Sequence, residues 1–372
     1  MKITLGEVGT YINGYAFKPS DWETSGLPII RIQNLTNQNT IPNYFDGPYN
    51  SKFEVNKGDI LIAWSGSLGI HVWQKNKALL NQHIFRVEFN KCEIDKMYFY
   101  YAVKHNIHKM LHLTHGATMR HIIKSDFEKI VIPYPSLVVQ AKISKILNYL
   151  EQNIINYRTI LSKLDLLIKS RFDEFNKNND NVKVLKLEDI CTSIVRGPFG
   201  SALKVENFVK KSDTSVKVYE QSNAIQRSAA IGSRYISREH YESLRRFKCK
   251  PGDIIMSCSG TIGKLFILPN DAEEGIINQA LCKFTLGKEL LPEVFLLYMD
   301  ILIGNIETKG SGIKNISAVK FIKNLEIPVP PIGIQSKLLF ELNQINKLKS
   351  DVQKSIDETQ LLMDSLMQEY FG

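Results

Sequence analysis

The chain has 372 residues, 44% of them apolar, and a formal net charge of +9. That is room for two globular domains plus helices, with the apolar content of an ordinary water-soluble protein. The apolar run from Val294 to Ile303 is broken by Asp300 and is too short to cross a bilayer. The first residues, MKITLGEVGT, hold no signal-peptide core, so a cytoplasmic protein with no membrane partner is expected. The five cysteines, Cys92, Cys191, Cys249, Cys258 and Cys282, are odd in number and form no C-x-x-C pair. Buried free thiols are expected rather than a disulfide framework or a zinc site.

Residues 1–133 read as a first globular segment. Short β-like runs such as Pro28 to Gln33 and Asp59 to Trp64 end in polar or glycine residues, and Phe85-Arg-Val-Glu-Phe89 alternates as a half-buried strand does. Tyr98 to Leu113 reads as a helix and Thr114 to Thr118 as a loop. The mixture predicts an α+β fold with a strongly bent sheet and one or two helices. Residues 134–178 follow as a spacer helix and linker. Pro135 to Phe175 contains no glycine, and its apolar residues Leu147, Leu150, Ile154, Tyr157, Leu161, Leu164 and Ile168 step by alternating threes and fours. That is a heptad seam, on a helix of about 40 residues and about 60 Å. Asn176 to Asn181 (NKNNDN) has the composition of a linker.

Residues 179–328 form a second globular segment. Within it, Arg196 to Lys250 holds twelve Lys/Arg against five Asp/Glu, an excess that suggests a polyanionic partner, most often nucleic acid. Residues 329–372 make a second long helix with a seam of Leu338, Leu342, Ile345, Leu348, Val352, Ile356, Met363 and Leu366. Its approach matches that of the first helix: Pro133-Tyr-Pro135 before Gln140 becomes Pro328-Val-Pro330 before Gln335.

The chain is therefore one unit written twice. Lys57-Gly-Asp-Ile-Leu-Ile-Ala-Trp-Ser-Gly-Ser-Leu-Gly69 lies 194 positions before Pro251-Gly-Asp-Ile-Ile-Met-Ser-Cys-Ser-Gly-Thr-Ile-Gly263. Asn81-Gln82 matches Asn278-Gln279, Gly116 matches Gly310, Phe127 matches Phe321, and Thr4 to Val8 echoes Lys186 to Ile190. The halves diverge most in residues 15–57 against 197–250, as if a fixed frame carried two different inserts. Two such units, each with a long helix able to pair antiparallel with the other, would suit two separate patches on one extended ligand, and a basic chain of that kind suits duplex DNA.

This ordered set, occurring twice over essentially the whole chain, resembles the specificity subunit of Type I restriction–modification systems. The resemblance rests on the G-D-I-L/I-x-x-x-S-G-x-x-G blocks, the Asn-Gln pairs, the P-x-P…Q approach to a long helix, and the duplication. It implies two tandem pseudo-symmetric DNA target-recognition domains joined by two long helices in an antiparallel coiled coil. It further implies a bipartite, interrupted double-stranded DNA target and assembly with two methyltransferase subunits and with restriction/translocase subunits. S-adenosylmethionine, ATP and Mg2+ would then belong to those partners, with no cofactor on this chain.

The residues agree with a binding role. Ser259-Gly-Thr-Ile-Gly263-Lys264 lacks the first glycine of a phosphate-binding loop and has Leu265 where Ser/Thr is needed. There is no methyltransferase Asp/Asn-Pro-Pro-aromatic motif, and no acidic cluster with a lysine for a metal-dependent nuclease. His105, His108 and His112 share a helix face, but the repeat places Met299, Leu302 and Ile306 at those positions, which favours packing over a metal site. Residues identical in both halves (Gly58/Gly252, Asp59/Asp253, Ser65/Ser259, Gly66/Gly260, Gly69/Gly263 and the Asn-Gln pairs) cannot by themselves read two different sequences, and so read as frame, the glycines supplying positive φ. The candidate DNA contacts are polar residues that differ between the halves: Arg31, Gln33, Trp64, His83, His115, Thr118 and Arg120 in the first, and Lys204, Gln221, Arg227, Arg234, Lys264, Lys309 and Lys314 in the second. A DNA-acting enzyme with an unrecognised active site and a basic interaction scaffold are the alternatives.

Overall fold

In the computed structural model, which describes residues 1–37, 39–112, 122–177, 182–308 and 322–372, the apolar tetrapeptide Ile60–Ala63 is a strand buried at every residue. A strand apolar on both faces needs cover on both sides. Ile60 and Ile62 enter a core shared with the helices Lys96–His112 and Leu137–Lys177, while Leu61 enters a second core with Ile30, Val55 and Leu80.

The helices cover one face and a second sheet covers the other, so the unit has two four-stranded sheets where the sequence pattern suggested one bent sheet. The inner sheet has the order Thr10–Asn13, Ile84–Glu88, Ile60–Ala63, Gly69–Val72, all antiparallel. The outer sheet has the order Asn43–Phe45, Leu27–Ile30, Ala78–Leu80, Glu54–Val55, with its two central strands parallel. The chain leaves the outer sheet after Leu80 and joins the inner one at Ile84, so Asn81-Gln82-His83 is the crossing. It is tight: a Cβ on Gly14 would sit 2.0 Å from the Asn81 carbonyl oxygen, and His83 takes φ of +72°.

The second half repeats this plan. Its inner sheet is Cys191–Arg196, Leu281–Leu286, Ile254–Ser257, Leu265–Ile267, and its outer sheet is Tyr235–Ile236, Val216–Tyr219, Gly275–Ile277, Lys248–Cys249. At the equivalent crossing a Cβ on Gly197 would sit 1.8 Å from the Asn278 carbonyl oxygen. Residues 15–57 and 197–250, unlike in sequence and expected as two different inserts, thus share the outer-sheet strand order and the one-turn helix after the central strand, and differ among the described residues in the helix Arg238–Ser243 and the turn Gly200–Leu203, which are present in the second segment alone. The paired blocks behave as frame. Gly58, Gly66, Gly252, Gly260 and Gly263 have φ between +62° and +91°. Gly69 departs from the expectation, because it is the first residue of a strand, paired with Ala63. Asp59 and Asp253 cap the turn before each buried strand, accepting from the Asn56 and Lys250 amides at 2.8 and 2.9 Å.

The chain divides into two compact units, Met1–Ser162 with Ser350–Gly372, and Lys163–Lys349. Each long helix, Leu137–Lys177 and Ile332–Phe371, contributes to both. In the first unit Leu147, Leu150 and Ile154 share a core with Ile356, Met363, Met367 and Phe371. In the second, Phe172 and Phe175 share one with Leu338, Leu342 and Ile345. The order of these contacts makes the helices antiparallel. One expected seam residue, Leu348, is 54% exposed. The three–four spacing from Ile345 to Val352 passes instead through Lys349, whose ammonium pairs with Asp165.

The P-x-P…Q pattern has a direct cause. Gln140, fully buried in the first turn of its helix, accepts from the Asp95 amide (2.9 Å) and donates to the Pro135 carbonyl (2.8 Å). Gln335 accepts from the Leu291 amide (2.8 Å) and donates to the Glu289 and Pro330 carbonyls (2.8 and 2.7 Å). Each glutamine thereby ties the start of a long helix to the segment leading into an earlier 17-residue helix, Lys96–His112 or Pro292–Thr308.

Phe371 is 2% exposed and its ring lies 5.2 Å from that of Tyr98. Replacing it with alanine should destabilise the first unit by about 3–5 kcal/mol, the usual cost of emptying a buried aromatic site. All three tryptophans, Trp22, Trp64 and Trp73, lie in that unit, so tryptophan fluorescence during urea unfolding reads it selectively. An unchanged midpoint would show that the helix end is not part of that core.

Candidate nucleic-acid interface

In each unit the central outer strand runs into a one-turn helix, Ile32–Thr36 or Gln221–Ile225. A buried asparagine organises both. Asn34 accepts from the Arg31 amide (3.0 Å) and donates to the Thr40 carbonyl (3.2 Å). Asn223 accepts from the Glu220 amide (2.8 Å) and donates to the carbonyls of Ser228 and Ile231 (both 2.9 Å). The second unit adds Lys217, 1% exposed, which donates to the Ala229 carbonyl at 2.6 Å. Burial lowers its pKa, and Glu273 opposes that shift.

A second matched feature lies beside these turns. Lys18 and Lys204 each precede a short 3-10 turn and donate their amides to Asp21 (2.7 Å) and Asn207 (2.9 Å). Trp22 and Phe208 end the turns. The next residues, Glu23 and Val209, bridge to Tyr44 and Tyr235. An arginine guanidinium lies over each aromatic ring: Arg31 over Trp22 at 5.0 Å, and Arg234 over Phe208 at 5.1 Å. The shared pattern, Lys-x-x-Asp/Asn-aromatic, is present in the sequence at an offset of 186, and was hidden because the stronger blocks repeat at 194.

Several sequence candidates gather here: Arg31, Gln33, Lys204, Gln221 and Arg234. Gln33 is exposed, and Gln221 reaches the Thr261 carbonyl at 3.4 Å. Arg227 is exposed with φ of +49°; its charge and that of Lys264 act on Asp300, whose carboxyl is raised by desolvation and lowered by those two cations. Trp64 and His83 lie at the crossing between sheets in the first unit. Trp64 stacks on Phe85 at 5.5 Å and donates to Asn13 at 3.1 Å, and His83 meets its ring edge-on. His115, Thr118, Arg120, Lys309 and Lys314, with the Gly116 and Gly310 loops, lie outside the described residues.

The basic block is not a bare positive surface. Lys204, Lys211, Arg234, Arg238, Arg245 and Lys248 all form ion pairs, and two of their acids, Glu273 and Glu274, come from outside the block. Among the described residues no group of three His, Cys, Asp or Glu could hold a metal ion. The His105 ring lies 6.1 Å from that of Phe371; the side chains of His108 and His112 are outside the described residues. The five cysteines are free, and all but half-buried Cys92 are buried. No helix among the described residues is long and apolar enough to cross a membrane.

A family model described as Type I restriction modification DNA specificity domain matches residues 1–166 and again residues 179–359. The chain belongs to that family. A specificity-family chain is the non-catalytic, DNA-recognition component of a type I restriction–modification system. This one is 20% identical to the Type I restriction enzyme EcoBI specificity subunit of Escherichia coli, over 99% of this chain and 84% of that protein. It is 23% identical to the MjaVIII specificity subunit of Methanocaldococcus jannaschii, over 93% of this chain and 86% of that protein. In fold it is similar to the Type I S subunit from M. genitalium, with a TM-score of 0.59 at 15% identity over 100% of this chain and 96% of that one. It is also similar to a chain solved in work on complex assembly and conformational transition of the type I R-M system, with a TM-score of 0.63 at 13% identity over 100% and 97%.

Within this specificity-family chain the buried asparagines hold the candidate loops in place. Asn223→Ala would leave one amide and two carbonyls without partners, against one amide and one carbonyl for Asn34→Ala. The expected losses are about 3 kcal/mol and about 2 kcal/mol. Hydrogen exchange should show local opening at the Glu220 and Arg31 amides, respectively, and unaltered protection there would mean that the asparagines do not organise the loops.

Proposed function

We propose that this chain reads a bipartite, interrupted site on duplex DNA, one half-site per unit, and directs methyltransferase and restriction subunits to it. The observation that carries the reading is one scaffold built twice with different polar residues at equivalent positions: Arg31 where the second unit has Glu220, Asn43 where it has Arg234. Backbone geometry shared by both units serves contacts common to any duplex, whereas side chains that differ supply sequence preference. Two methyltransferase subunits would bind S-adenosylmethionine, and restriction/translocase subunits would use ATP and Mg2+. Reconstituting the chain with its methyltransferase subunits and mapping the methylated positions should give two defined half-sites around an undefined gap. Replacing residues 182–328 with those of a relative should change one half-site alone; simultaneous change of both would end the modular reading.

The long helices contribute side chains to the cores of both units, and in this reading they space the two half-sites. Inserting four residues after Leu161 adds about one helical turn, or about 5.4 Å. With base pairs about 3.4 Å apart, the preferred gap should grow by about one or two base pairs. The half-sites should stay the same, and a matching insertion near Val352 should recover part of the lost stability by restoring the pairing of the seams. A folded, active variant that keeps its original gap would show that the helices do not set the distance.

A further inference from the structure

The residues at the equivalent positions 31/220 and 43/234 touch each other in both units. In the first, the Arg31 Nη1 donates to the Asn43 Oδ1 at 3.2 Å. In the second, the Arg234 Nη1 donates to the Glu220 Oε1 at 2.6 Å. The strand registers fix the equivalence: Tyr44 pairs with Pro28 as Tyr235 pairs with Lys217, and Ile29 and Ile30 match Val218 and Tyr219 beside the parallel strand. One bridge therefore occurs twice with its ends exchanged. Each time, the arginine that makes it lies over the aromatic residue that closes the Lys-x-x-Asp/Asn turn, whichever end of the bridge it comes from.

We propose that this bridge is a guanine-reading point in each unit, with Arg31 serving one half-site and Arg234 the other, and with Trp22 and Phe208 as positioning residues. The proposal rests on the DNA-reading function proposed above. A guanidinium carries five N–H donors in a planar fork, and its commonest base-specific use is a bidentate contact to guanine O6 and N7. Each bridge is the single hydrogen bond that the guanidinium makes among the described residues, which leaves the rest of the fork for a ligand. An aromatic ring on one side and a lateral hydrogen bond restrict how the fork can turn. A phosphate gains little from such orientation, whereas a planar edge with two acceptors requires it. The second unit separates the two ligands further. Glu220 balances the charge of Arg234, which weakens attraction to a phosphate but leaves donors for a neutral base. The Arg234 side chain is 52% exposed and so accessible.

The test uses the chain reconstituted with its methyltransferase subunits and maps methylated sites over a randomised DNA library. Arg31→Ala should make one guanine position of one half-site degenerate, with discrimination there falling about tenfold or more, and Arg234→Ala should do the same in the other half-site. Trp22→Ala should relax the position that Arg31→Ala relaxes, and Trp22→Phe should restore it. Arg31→Lys should not restore it, because an ammonium lacks the planar fork. The double variant Glu220→Arg with Arg234→Asn rebuilds the first unit's bridge in the second and should keep the guanine, where Arg234→Asn alone loses it. Uniform weakening across sequences, with the salt dependence reduced by about one unit, would identify a phosphate contact and overturn the proposal. An unchanged site in the arginine variants would overturn it as well. If the unsubstituted complex marks no bipartite site, the functional reading fails and this proposal fails with it; if that site is intact, an unaltered Arg31→Ala motif refutes the guanine point alone.

Discussion

The first unit's core is closed by residues from both ends of the sequence. Leu147, Leu150 and Ile154 cannot bury their seam without Ile356, Met363, Met367 and Phe371, and all of these share one apolar cluster with Tyr98, Tyr101 and the inner sheet. The same holds for the second unit, where Phe172 and Phe175 meet Leu338 and Leu342. Contacts so distant in sequence are entropically expensive to bring together, and large apolar burial offsets that cost. A helix that belongs to two cores also makes folding of the units interdependent, although each has its own sheets.

The glutamines at the helix starts make this arrangement directional. Gln140 and Gln335 are buried and hydrogen-bonded at both ends of the amide. A buried amide with fixed partners tolerates one orientation, so it sets where the helix leaves the globular part in a way that apolar packing alone would not. The frame residues act similarly at the sheet crossing, where Gly14 and Gly197 admit the Asn81 and Asn278 carbonyls so closely that any side chain would collide.

Against this rigid background the variable surface is electrostatically economical. Many of the second unit's basic residues are paired with acids, among them Glu220, Glu242, Glu273 and Glu274, although Lys211, Arg234 and Arg238 stay more than half exposed. Exposed pairs of this kind contribute little stability, but they orient long side chains and lower the field available for indiscriminate attraction to a polyanion. Net charge in a sequence window therefore overstates the positive surface, since two of the pairing acids, Glu273 and Glu274, arrive from outside the window, just before the neighbouring strand Gly275–Ile277.

Duplication, the long helices, the α+β class and the frame glycines follow from the sequence alone, because each leaves a local mark: a heptad spacing, a repeated block, a Gly at a turn of positive φ. Even there, locality had limits. Leu348 fitted the apolar pattern but faces solvent, since the antiparallel partner offers Asp165 opposite the position taken by Lys349. Tertiary structure alone decided that each half holds two sheets, that residues 15–57 and 197–250 share one outer-sheet strand order, and that Arg31 and Arg234 occupy opposite ends of equivalent bridges. These features rest on strand pairing between segments whose spacing in sequence drifts from 182 positions (Thr4 to Lys186) to 197 (Asn81 to Asn278) across the repeat. A comparison at fixed offset loses them, whereas hydrogen-bond register, which ignores loop length, restores them.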